Sequence, residues 1–119
     1  MSTTEARTLK FNPIRGSKLE KTLEVPPEIQ ILDDGQDVPE HHGCFRILNT
    51  ESGDDRLVWD RRSLAEINAA KKSFRELIKQ GMTPYRVGTG GKATSEVMDE
   101  FDPTAEEVIF METALVMGG

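Results

Sequence analysis

Three side chains able to ligate a metal or to act as nucleophile and base lie close together in the chain: His41, His42 and Cys44. A structural zinc site usually draws its ligands from two separated pairs, and a Cys–His nucleophile needs a third group to orient the base. The chain holds 2 histidines and 1 cysteine in all, so only carboxylates such as Asp37 could complete either arrangement. The stretch reads as a polar junction. Gly91-Lys92, in the loop Gly88 to Ser95, invites comparison with a phosphate cradle. That motif needs a longer spacer after its first glycine and a hydroxyl directly after lysine, where this chain has Ala93. The loop reads as a hairpin connection. Asp54, Asp55, Asp60, Asp99, Glu100, Asp102, Glu106 and Glu107 fall in turns and at a cap, with no spacing that marks a general acid and base pair. No catalytic residue, metal ligand or cofactor is assigned, and the chain is not expected to be an enzyme. Lys71, Arg75 and Lys79 recur at helical spacing and form a solvated basic ridge.

The elements that position these residues must come from a small domain. At 119 residues the chain makes one domain, whose core is about as large as one helix over a sheet can supply. Its net charge of −6 argues against general nucleic-acid binding. A single cysteine excludes an intramolecular disulfide and suits a reducing compartment. No apolar run is long enough for a membrane span or a signal peptide, so neither nucleic acid nor membrane is an expected partner.

Residues 1–42 divide into a basic block, Arg7 to Lys21, and an acidic one, Glu24 to Glu40, interrupted by Pro13, Pro26, Pro27 and Pro39. They read as an extended arm that contributes little to the core and becomes ordered on a partner. Its apolar anchors are Phe11, Ile14, Leu19, Leu23, Ile29 and Ile31, with Val25 and Leu32 beside them.

From residue 43 the pattern changes. Phe45 and Ile47 alternate with Arg46 and Leu48, a polar turn follows at Asn49 to Asp55, and Arg56 to Asp60 returns as a second strand. Ser63 and Glu66 have capping-box spacing. Leu64, Ile67, Ala70, Phe74, Leu77 and Ile78 repeat every three or four residues, and Lys79 and Gly81 suit the end of a helix, predicted over about 64–80. Met82 to Val87 and Glu96 to Phe101 read as strands, Asp102 to Ala105 as one helical turn capped by Asp102, and Val108 to Met111 as a buried strand. The expected fold class is α+β: a ββαββ-type small sheet with one helix packed on one face (residues 43–119), preceded by the extended arm (residues 1–42).

This layout, with a last strand leading into an apolar tail that ends in Gly118-Gly119, is similar to that of ubiquitin-like modifiers, whose terminal glycines thread a narrow enzyme channel. A second likeness rests on Gly53-Asp54, Trp59-Asp60, Ala69-Ala70, Phe74, Gly81, Tyr85-x-Val87, Phe101-Asp102-Pro103-x-Ala105, Ile109 and Gly118-Gly119. Together these resemble short uncharacterised proteins of tailed bacteriophages and prophages, over about residues 53–119. The chain departs from that pattern at Glu112-Thr113-Ala114, where relatives tend to carry proline, and in its long arm. The resemblance implies a phage context. The expected function is therefore a non-enzymatic virion or assembly protein, assembled in the host cytoplasm. It would contact other virion subunits through the arm anchors and through Leu115, Met117, Gly118 and Gly119. The alternatives are a cytoplasmic modifier conjugated through its diglycine and a phage-encoded inhibitor of a host protein.

Overall fold

The structure, a computed structural model, describes residues 7–13, 20–33, 35–50, 53–87 and 93–112. Gly91-Lys92 and the anchors Ile14, Leu19, Leu115, Met117, Gly118 and Gly119 lie outside the described residues. The elements in chain order are β1 (Arg7–Phe11), β2 (Lys21–Val25), β3 (Gln30–Leu32), β4 (His42–Asn49), β5 (Gly53–Asp60), α1 (Leu64–Lys79), β6 (Met82–Val87), β7 (Ala93–Val97) and β8 (Glu107–Glu112). The fold is α+β: one helix packs on a mixed six-stranded sheet of order β3-β5-β4-β8-β6-β7, and β1 and β2 form a second, two-stranded sheet. β4 and β8 run parallel, while the other pairs are antiparallel.

The helix starts where its cap predicts. Ser63 is extended, at φ −100° and ψ 115°, and its Oγ accepts the Glu66 amide at 3.3 Å. The reciprocal half of the box is shifted. Glu66 Oε1 accepts the amide of Asp60 at 2.9 Å, because the Ser63 amide already donates to the Asp60 carbonyl in the turn out of β5. At the other end Gly81 takes φ 93°, as a residue just past a helix end often must. The stripe is buried at Ala70, Phe74 and Leu77 and Ile67 packs against the core, but Leu64 is 72% and Ile78 40% exposed at its two ends.

Phe45, on β4, is the centre of the core. Its ring centroid lies 4.6 Å from Trp59, 5.2 Å from Phe110, 5.8 Å from Phe101 and 6.1 Å from Phe74. These tilted and edge-on contacts join β4, β5, β8, α1 and the segment after β7, and the favourable ring geometry adds to the area buried. Gly43 makes room for Trp59, since a Cβ there would overlap the indole ring.

The N-terminal region corrects the expectation of an arm separate from the core. Phe11, Leu23, Val25 and Ile29 are all buried, in the same cluster as Phe45, Trp59 and Phe74, and Ile31 packs against that cluster. Side chains enclosed in this way are not available as anchors for a partner. Some of the charges that suggested a solvated arm occupy alternate, outward positions: Lys10 is exposed beside the buried Phe11, and Glu24 is exposed between the buried Leu23 and Val25. Polar contacts fasten the same region. The Arg7 guanidinium donates to the carbonyls of Pro26 and Ile29, the amide of Asn12 donates to Asn49 Oδ1 at 3.2 Å, and the Thr50 amide donates to the Asn12 carbonyl at 2.9 Å. Residue 42 is therefore not a packing boundary.

One further element departs from expectation. The strand read at Glu96 to Phe101 ends at Val97, and Phe101 turns back into the aromatic core. The helical turn expected at Asp102 to Ala105 is a single turn closed by the Ala105 amide on the Asp102 carbonyl at 3.0 Å, and Asp102 caps it as expected, its Oδ1 accepting the Thr104 amide at 2.9 Å and its hydroxyl at 2.6 Å.

Candidate protein-binding surface

A strand sends alternate side chains to opposite faces, so a sheet covered by one helix has a second face to account for. The registers Phe45↔Val108, Ile47↔Phe110 and Pro84↔Phe110 place those residues under α1, where they are buried. The intervening pairs Arg46↔Ile109, Thr83↔Met111, Tyr85↔Ile109 and Tyr85↔Val97 face the other way. Leu48 follows Arg46 on that face of β4.

This outer face has two halves. Over β5 and β4 it carries a small buried cluster of Leu32, Cys44 and Val58, beside the chain that connects β3 to β4. That connection is tied down where Arg56 donates to the Asp33 carbonyl at 2.6 Å. Over the end of β4 and over β8, β6 and β7 the apolar side chains Leu48, Tyr85, Ile109 and Met111 are only partly buried, and Val97 is 47% exposed. Charged pairs flank them. On this face Arg46 lies 2.8 Å from Glu107 and 3.7 Å from Asp54, whereas Arg86, in register with Val108 and so on the helix side, bridges Asp102 at 2.8 Å and Glu96 at 3.3 Å. Partly exposed apolar residues with a charged rim have the composition of a protein contact.

Three titratable groups are shifted by their surroundings. Hydrogen bonds from Thr104, and then from Arg86, hold the Asp102 carboxyl down at about 2. Asp60, hydrogen-bonded by the Arg62 side chain and amide, is likewise lowered to about 2. Burial, followed by the nearby Glu107 charge, pushes the Cys44 thiol up to about 12, so it stays protonated and unreactive at neutral pH.

The residues considered for chemistry do not converge. His41 is exposed in a left-handed turn at φ 64°, His42 Nδ1 lies 2.9 Å from the Glu40 carbonyl, and Cys44 is buried. Among the described residues, no group of three His, Cys, Asp or Glu side chains could hold a metal. Lys71, Arg75 and Lys79 are exposed along α1, as their spacing predicts. No helix among the described residues is long and apolar enough to cross a membrane.

The candidate surface was only half visible in the sequence. Alternation places Leu48 and Tyr85 opposite the core positions of their strands. Val108 to Met111, however, reads as one buried run, which conceals that Ile109 and Met111 face outward. Comparison with protein-family models, with curated proteins and with solved structures gives no match for this chain.

Proposed function

We propose that the protein is a non-enzymatic structural or assembly subunit of a tailed-bacteriophage particle, of the capsid-stabilising, decoration or connector and tail accessory kind. It binds neighbouring subunits through the β8-β6-β7 half of its outer sheet face. The observation that carries this reading is the partly exposed set Leu48, Tyr85, Val97, Ile109 and Met111 on a sheet whose opposite face is packed. The sequence likeness to phage proteins supplies the context. Relative to the expectation from sequence, the gripping role passes from the buried anchors Phe11, Leu23 and Ile29 to the sheet, while Ile14, Leu19, Leu115 and Met117 remain candidate contacts. The test is to purify particles from the phage or lysogen that carries the gene and to identify their proteins by mass spectrometry. The reading predicts the protein among the particle components, and its loss from them when Tyr85 and Ile109 are both changed to Asp. Particles that lack the wild-type protein contradict it.

A second reading, conjugation through Gly119, is favoured by the layout from β4 onward. The chain runs hairpin, helix, strand pair and then β8, inserted beside β4 and parallel to it at the centre of the sheet. A central strand is a rigid base from which to present a tail to an enzyme. This reading predicts covalent adducts of increased mass that disappear when Gly118 and Gly119 are removed. It fails if peptide mapping finds no lysine joined to Gly119.

A further inference from the structure

We propose that β2 and α1 form a docking groove for an extended, basic segment of a partner protein, held by strand addition to the free edge of β2. Among the described residues, β2 pairs with β1 along one edge only. The Thr22 carbonyl accepts a hydrogen bond from Gln80 Nε2 of the helix cap, so it points away from β1. In strand geometry the Thr22 amide and both backbone groups of Glu24 share that direction. Among the described residues, these three groups have no backbone partner. An open strand edge is a ready template for another chain, and strand addition of this kind is a recurrent mode of peptide recognition.

Space for the added strand lies alongside. A groove of about 800 Å³ separates β2 and the Pro26–Glu28 turn from α1. The helix lines it with Ala65, Ala69 and Ser73, one turn apart, whose small side chains leave the width open. From Ala65 to Gln80 the helix rises roughly 22 Å at ~1.5 Å per residue. At ~3.3 Å per residue this matches roughly seven residues of extended peptide. Pro26 and Pro27 lack amide N–H groups and end the edge at Val25, so pairing is confined to Thr22 and Glu24.

The charges select the occupant. Among the described residues, Glu24, Glu28 and Glu76 line the groove against one cation, Lys72. A segment with a lysine or arginine directed at the Glu24–Glu28 wall is complementary, and an acidic one is repelled. The groove lies on the helix side of the molecule, away from the outer sheet face, so its test is independent of the assembly reading.

The experiment presents the full chain with a pool of random heptapeptides, followed by hydrogen exchange on the complexes recovered. The expected result is enrichment of Lys and Arg, with protection gained at the Glu24 amide. Ala65→Trp fills the groove from an exposed position and weakens the recovered peptides by about tenfold or more. The double variant Glu24→Lys and Glu28→Lys, also at exposed sites, shifts the selection to acidic peptides. The proposal is overturned if no peptide is retained, or if retained peptides bind both variants as they bind the wild type.

Discussion

β8 shows both faces of the molecule in six residues. Val108 and Phe110 are fully buried beneath α1 and Glu112 is 6% exposed, whereas Ile109 and Met111, of similar hydrophobicity, remain partly exposed on the other side. The difference lies in what covers each face. The helix and the β1-β2 pair close the inner one, and the β3-to-β4 connection lies beside the outer face near β5 and β4. Hydrophobicity alone therefore does not separate the core from the outer face in this chain.

Changes on the inner side should be costly and those on the outer side cheap, and the largest effect is expected where the two ends of the chain cooperate. Deleting residues 1–40 removes Phe11, Leu23, Val25 and Ile29 from the core. Buried side chains of this size contribute about 2–5 kcal/mol each, and a domain has only about 5–15 kcal/mol in total. The truncated chain is expected to lose its dispersed amide NMR spectrum, and a well-dispersed spectrum would restore the separate arm. Next in size is Phe45→Ala, with an expected loss of about 3–5 kcal/mol in urea unfolding. Tyr85→Ser on the outer face should cost about 1 kcal/mol or less. Equal losses at the two positions would erase the distinction between the faces.

The sequence made one half of this contrast more legible than the other. The helix, its Ser63 cap, Gly81 and the β4-β5 hairpin were visible because each rests on local rules of spacing and capping. The fate of Phe11 and Leu23 was not, because their neighbours Lys10 and Glu24 give the region a solvated composition and only tertiary pairing shows that those charges point outward. β8 was legible as a strand, but its placement between β4 and β6 depends on contacts distant in sequence. Of the outer surface, Leu48 and Tyr85 could be found by alternation, while Ile109 was hidden in an apolar run. The free edge of β2 had no sequence signal at all.

A smaller effect is expected at the polar junction of β2, α1 and β8. Lys21 Nζ donates to the Gln80 carbonyl at 2.7 Å and lies 3.6 Å from Glu112, whose side chain is 8% exposed. Lys21→Ala leaves that carboxylate poorly compensated and should cost about 1–3 kcal/mol. A neutral outcome in urea unfolding would show that the junction does not help to close the inner face. The smallest effect concerns Asp102, bonded to Arg86 and Thr104. A carboxyl held below its ordinary range stabilises the fold above the unfolded-state value, and that contribution fades as pH falls through the folded-state value. With Asp102 held at about 2, the melting temperatures of wild type and Asp102→Asn should differ most above about pH 4 and converge towards pH 2. A difference that persists unchanged at pH 2 would show that the Arg86 and Thr104 bonds act independently of charge.

The central claim, that the outer sheet face is the contact surface, is tested most directly by site-specific photocrosslinking in cells that produce particles. A photoreactive side chain replaces Tyr85 on the sheet and, as a control, Lys71 on the exposed side of α1. The account predicts a covalent adduct with another particle subunit from position 85 and none from position 71. An adduct from position 71 with none from position 85 would contradict it.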